Sequence, residues 1–247
     1  MGVEPVPGAP AAVANTGEER LLVVADYHAG IEAVLRHEGV ELDDGAAGRR
    51  RQVQGLLAET SPDRLVVLGD LVHAVGDPWD AEREEVTALF EGIEVPVTLV
   101  KGNHDGEIEA VLADVDHDTT VTPAEGVRLG DVGFTHGHTW PGQDVLAAKV
   151  ICVGHEHPVV RLADDVGGYR AERAWLRGRL APEPFETHTG VAPDGDLVVF
   201  PAFNDRSGGT WVNVDDRDFL SPFLPTGLAD GRAYLLDGTR LGHYRNL

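Results

Sequence analysis

Residues able to bind metal ions recur in one setting along this chain, just after a short apolar run. Leu21-Leu22-Val23-Val24-Ala25 leads into Asp26-Tyr27-His28, and Leu65-Val66-Val67-Leu68 into Gly69-Asp70-Leu71-Val72-His73. Val95-Pro96-Val97-Thr98-Leu99-Val100 comes before Gly102-Asn103-His104-Asp105, and Val132-Gly133-Phe134-Thr135 before His136-Gly137-His138. Val150-Ile151-Cys152-Val153 is followed by Gly154-His155-Glu156-His157-Pro158. Any one of these groups is ordinary turn chemistry, because Gly, Asn and Asp accept unusual backbone dihedrals. Five in series, each ending an apolar strand, define a site. Ligands of open α/β sheets gather outside the carboxyl ends of the strands. Folding is therefore expected to bring Asp26, His28, Asp70, Asn103, His136, His155 and His157 together.

These His, Asp and Asn side chains outnumber the four ligands of a tetrahedral zinc. They suit two divalent ions about 3.5–4 Å apart that share one carboxylate. Imidazole, carboxylate and amide oxygen without thiolate favour Mn²⁺, Fe²⁺ or Zn²⁺ over Ca²⁺ or Mg²⁺ alone; Mn²⁺ is the first expectation, with Fe, Zn and Ni as alternatives. Such a pair makes hydroxide available near neutrality and neutralises the non-bridging oxygens of a phosphate. His104, beside Asn103, is placed to donate a proton to the leaving group, with Asp105 to orient it. His73 is expected to touch substrate or brace a ligand, the alternative being a cap on the next segment. His138 either lines the pocket or points to solvent. His37, His117, His188 and His243 lie outside any motif and are expected at the surface.

The elements that must carry these residues alternate between strand and helix. Helices are expected over residues 31–38, 46–59, 80–90 and 107–113, and further strands over 197–200, 211–214 and 233–236. A hairpin turns at Gly130-Asp131. Leu56 and Leu57 read as core and Arg49-Arg50-Arg51 as exposed. Residues 1–18 read as a loosely ordered segment with one edge strand near 11–14. The pattern is that of one domain over 1–247, a mixed sheet with helices outside and a second sheet inside, completed by residues 158–247. Cys152 sits mid-strand and reads as a small buried hydrophobe. Arg170, Arg173, Arg177 and Arg179 surround Trp175 in a stretch that reads as a solvated helix face. The rival reading is a nucleic-acid contact in which Arg173 and Arg177, with His138, bind substrate.

The chain has 42 acidic and 20 basic residues, a net charge of −22. Such a surface opposes simple electrostatic binding of a polyanion. Acidity with one Met and little Lys is similar to the proteins of a salt-adapted, haloarchaeal cytosol, where molar salt cuts the Debye length to about 3 Å. There the charge solvates the protein and says little about its ligand. One cysteine excludes a disulfide framework. No apolar run approaches a membrane span, and the opening residues lack the basic and apolar regions of a signal peptide. A cytoplasmic location is expected.

Taken in order, D-x-H, G-D-x-x-H, G-N-H-D, H-G-H and G-H-x-H resemble the motif blocks of the calcineurin-like metallophosphoesterase superfamily, from Asp26 to His157. The resemblance implies an α/β four-layer sandwich, two mixed β-sheets flanked by helices. It implies that Asp26, His28 and His157 hold one metal, that Asn103, His136 and His155 hold the other, that Asp70 bridges them and that His104 is the catalytic histidine. Phe200-Pro201-Ala202-Phe203-Asn204, Gly208-Gly209 and Val212-Asn213-Val214 are similar to the ending of the archaeal SbcD-related and PdeM-like branch. That narrower likeness implies a hydrolase of phosphodiesters, a DNA endonuclease or repair-linked phosphodiesterase with helicase or ligase partners. The motifs equally admit a small-nucleotide phosphodiesterase or phosphomonoesterase. A non-catalytic scaffold would be marked by missing ligands, and none is missing.

Overall fold

The computed structural model describes residues 2–163, 167–214 and 218–247. Its first sheet contains, in spatial and chain order, β1 (Val3–Pro5), β2 (Ala11–Asn15), β3 (Arg20–Val24), β4 (Arg64–Val67), β5 (Val97–Val100) and β6 (Thr119–Thr122). From β3 to β6 neighbouring strands are parallel. Parallel neighbours need crossovers, and α1 (Ile31–His37), α2 (Ala46–Thr60), α3 (Asp80–Phe90) and α4 (Ile108–Leu112) lie in those connections.

The second sheet uses β7 (Val127–Leu129), β8 (Val132–Thr135), β9 (Val150–Val153), β10 (Val159–Ala163), β11 (Tyr169–Arg179), β12 (Asp196–Val199), β13 (Arg232–Leu235) and β14 (Arg240–His243). Its order is β14-β13-β11-β12-β9-β8-β7, with β10 pairing the first half of β11. Two short helices, α5 (Gln143–Leu146) and α6 (Pro182–Thr189), pack on its outer side.

Alternation along the strands separates three apolar layers. Leu22 and Val24 of β3 meet Val53, Leu56, Val86, Leu89 and Phe90 of the helices. Leu21 and Val23 point the other way, into a core shared with Phe134, Cys152, Trp175, Val198 and Phe200 of the second sheet. Ile151, Val153 and Leu197 then face Val145, Leu146 and Phe185 on the far side. A strand covered on both faces has no solvent side for polar residues. This is why uninterrupted apolar runs precede the ligand groups, and the architecture is the α/β sandwich of two mixed sheets with flanking helices.

Several expectations change. The N-terminal segment is ordered: β2 sits between β1 and β3, and Val3, Ala11, Ala12 and Ala14 are fully buried. The stretch around Trp175 is strand β11 and not a helix, because Ala174, Trp175 and Leu176 pack on both faces of a central strand. Residues 211–214 form no strand beyond a single bridge from Trp211 to Val159. Arg49 is buried between the Glu32 and Glu85 carboxylates, while Arg51 is exposed as expected. No helix of the described residues is long and apolar enough to cross a membrane.

Candidate metal centre

The ligand-bearing groups follow the carboxyl ends of β3, β4, β5, β8 and β9, which converge where the two sheets meet. The chain reverses sharply there. Asp26 (φ 57°), His28 (49°), Asp70 (50°), His155 (66°) and His157 (44°) all adopt left-handed backbone. Apart from Ser61, these are all the described non-glycine residues with positive φ. Each such residue is strained by about 1–3 kcal/mol and persists only where its surroundings demand it; here the reversals aim five side chains at one point. Glycines allow the reversals to pack together. A Cβ on Gly102 would stand 2.2 Å from Asp70 Oδ1, and one on Gly209 would stand 2.2 Å from the His157 carbonyl oxygen.

Three groups of possible ligand atoms result: one of imidazoles alone, His28, His73 and His104, and two that contain a carboxylate. Asp26, His28 and His157 offer atoms within 4.8 Å of one another, as do Asp70, His136 and His155. His157 Nε2 is 3.1 Å from Asp26 Oδ1. Asp70 stands between the last two groups, with Oδ2 3.9 Å from His28 Nε2 and Oδ1 3.4 Å from His136 Nε2. Asn103 joins the Asp70 group through Oδ1, 3.1 Å from His136 Nε2.

Supporting hydrogen bonds fix which atoms face inward. His136 Nδ1 bonds the Leu68 carbonyl at 2.7 Å, so Nε2 is left for the site. His157 Nδ1 lies 3.2 Å from Ser207 Oγ, which itself donates to the Asn204 carbonyl. Asn204 Nδ2 donates to the carbonyls of Tyr27 and His28 and clamps the first loop. The Nδ1 atoms of His28 and His73 lie 3.2 Å apart. Asp105 does not orient His104 as expected. Its buried carboxylate accepts the N–H groups of Leu71 and Gly102, each at 2.9 Å, and ties the second loop to the third. His104 is instead held by its Nδ1 on the His73 carbonyl. Glu82 in turn accepts from the N–H groups of His73 (2.8 Å), Ala74 (2.6 Å) and Trp79 (2.5 Å). Asn204 lies in a motif the sequence displays; Ser207 and Glu82 carried no signal there.

Charge in this buried cluster is arranged for cations. Burial works against ionised carboxylates, yet His157 and His136 hold Asp26 below its ordinary value, and His136 does the same for Asp70. Burial likewise opposes the imidazolium of His136, but Asp70 and then Asp26 lift it to about 9. Burial lowers His28 to about 3 and, with His136, His155 to about 4. Burial and then Asp70 push Asp105 up to about 6. Two buried carboxylates thus draw protons onto adjacent imidazoles, a positive charge that a metal replaces when it binds. Among the described residues, His28 Nε2 is buried with no hydrogen-bond partner, and His157 Nε2 faces Asp26 Oδ1 alone. Imidazole nitrogens left beside carboxylates, with no thiolate near, fit two divalent ions.

The cluster floors an open cleft of about 450 Å³. His28, Asp70, His73, Asn103, His104, His155 and His157 line one side, and Ser207, Gly209, Thr210, Trp211, Asp218 and Leu220 the other. Two residues expected at the substrate, Arg173 and Arg177, make their contacts elsewhere. Arg173 Nη1 donates to the carbonyls of Ala202 (2.9 Å) and Phe203 (3.2 Å), bracing the segment that carries Asn204. Arg177 Nη2 donates to the Val3 carbonyl at 3.1 Å. His138 packs beside His136 and His155 at the edge of the cluster.

Two mixed sheets between helices, with His and Asp clustered at the strand ends, define a metal-dependent hydrolase of phosphoesters. The chain belongs to the calcineurin-like phosphoesterase family, whose pattern matches residues 19–177. No curated protein matches it. Among solved structures it is similar to the Pseudomonas putida nuclease MPE, at 21% identity and a TM-score of 0.59, over 97% of this chain and 100% of that one. The E. coli phosphoesterase Yfce aligns at 16% identity and a TM-score of 0.39, over 90% of this chain and 96% of that one.

Proposed function

We propose that this enzyme is a binuclear phosphodiesterase acting on nucleic acid. The observation that carries the reading is the position of Asp70, one buried carboxylate facing both groups of ligands at the floor of an open cleft. Asp26, His28 and His157 would hold one ion, Asn103, His136 and His155 the other, with Asp70 shared and Mn²⁺ as the metal. Such a pair supplies a water of lowered pKa and neutralises charge on the phosphate.

The chain's own residues orient and protonate. His104 faces the cleft with Nδ1 bonded to the His73 carbonyl, so the proton it delivers to the leaving oxygen comes from Nε2. His73 shares that wall and limits where the leaving group sits. The whole-length similarity to a structure described as a nuclease supports a polynucleotide. DNA is the proposed polymer and the cytosol the proposed location.

A second reading, a small nucleotide or phosphomonoester, is favoured by Asp218 on the cleft wall and by the net charge of −22, which repel a polyanion. A panel with Mn²⁺ separates them, comparing single-stranded, duplex and gapped DNA with bis-p-nitrophenyl phosphate, p-nitrophenyl phosphate and cyclic nucleotides. Metal-dependent DNA cleavage, abolished by EDTA, is expected. Turnover of small esters with DNA untouched would overturn the nuclease reading.

A further inference from the structure

The metal cleft does not end at Trp211. The same indole borders a second, smaller pocket of about 200 Å³ lined by Arg161, Tyr169 and Val214. Tyr169 is 59% exposed, and its ring centroid lies 6.1 Å from that of Trp211. The Arg161 guanidinium carbon sits 4.3 Å from the Tyr169 centroid, a cation–π contact. Arg170, Arg179 and Arg232 of the same sheet lie against Glu172, Asp194 and Asp230, whereas no carboxylate pairs with Arg161 among the described residues.

This platform is built onto the site. Val159, two residues past His157, bridges Trp211, and Arg161 follows on the same strand. Asn213 holds the Arg161 backbone at both ends, accepting from its N–H and donating to its carbonyl, each at 2.8 Å. From His157 to Arg161 the extended chain spans roughly 13 Å. Two aromatic rings and an available guanidinium thus run outward from the metal ligands.

We infer that Trp211, Tyr169 and Arg161 form a nucleobase-stacking subsite for a nucleotide flanking the scissile phosphate. The inference rests on the nucleic-acid reading above and adds how the polymer is held. With 42 acidic and 20 basic residues, long-range attraction of a polyanion is unavailable. Affinity must then come from short-range contacts, and base-on-aromatic stacking is one that needs no net positive charge. Arg161 contributes a stacking plane and one charge for the adjoining phosphate.

The test is binding of a short fluorescein-labelled single-stranded oligonucleotide to the full chain with Mn²⁺, read by anisotropy. Phosphorothioate linkages make the probe resist cleavage. Tyr169→Ala and Arg161→Ala are each expected to weaken binding at least about fivefold, and Tyr169→Phe to restore it. A probe of abasic residues should bind the native chain as weakly as the normal probe binds Tyr169→Ala. Unchanged affinity in the alanine variants, or equal affinity for the abasic probe, would overturn the subsite, and continued cleavage of DNA would leave the nuclease reading standing. A native chain that neither binds nor cleaves DNA would remove both.

Discussion

His104 is bonded through Nδ1 to the main-chain carbonyl of His73, and its Nε2 points at Asp70 Oδ2 from 3.8 Å. A carbonyl only accepts, so Nδ1 carries a proton and Nε2 is the nitrogen left to face the cleft. The His104 main-chain N–H also donates to Asp70 Oδ1 at 3.0 Å, which registers the His104 loop against that carboxylate.

Replacing His104 by Ala should lower kcat by about 10²–10⁴-fold, the usual contribution of a positioned acid. Metal content, measured by elemental analysis, should stay at the native level. Loss of metal along with activity would make His104 a ligand instead.

Asp70→Asn should behave differently. Its two oxygens face both ligand groups, so removing the charge is expected to deplete both ions together. Retention of one full equivalent would show that Asp70 serves a single ion.

Glu82 reaches the chemistry only through the main chain. It is fully buried and accepts from three N–H groups, including that of His73, whose carbonyl holds His104. Glu82→Ala leaves those donors without their acceptor and should destabilise the fold by about 2–4 kcal/mol. Denaturant unfolding measures that loss. At temperatures where the variant remains folded, kcat should fall with metal content unchanged.

Arg49 joins Glu32 and Glu85 beneath the first ligand loop, and Glu85 also accepts the Gly30 N–H at 2.8 Å. Arg49→Met leaves Glu32 with Arg206 alone and Glu85 with only the Gly30 N–H, and the loss of Glu85's one cationic partner should cost about 3 kcal/mol. The fork bonds both partners at once, so Arg49→Lys should not rescue it.

The same cluster sets an acid limb. Burial opposes ionisation of Glu32, but the Arg49 bonds prevail and hold it below its ordinary 4.5. A depressed carboxyl stabilises the fold fully above that unfolded value and loses the effect as pH falls through the lower, folded value. Unfolding free energy should therefore decline below about pH 4.5 in the native chain, and more shallowly in Arg49→Met. Parallel acid limbs would show that Glu32 is not responsible.

The ligand groups were legible because their signals are local. A doubly covered strand must be apolar throughout, and the chain must turn after it, so residue type and order pick out Asp26, Asp70 and His155, which the fold gathers into one cluster. The helices near Ile31, Ala46 and Asp80 were legible for the same reason. What a polar side chain does once folded depends on what arrives from far along the chain. Arg49 looks like its exposed neighbour Arg51 until Glu32 and Glu85 close over it. Arg173 and Arg177 look like phosphate binders until carbonyls of Ala202 and Val3 take their N–H groups. Asp105 looks like a partner of His104 until the buried N–H groups of Leu71 and Gly102 require its carboxylate. Residue type and strand-end position are thus properties of the sequence, and which partner meets each polar atom is a property of long-range packing, because buried donors and acceptors must be satisfied by whatever the fold brings near.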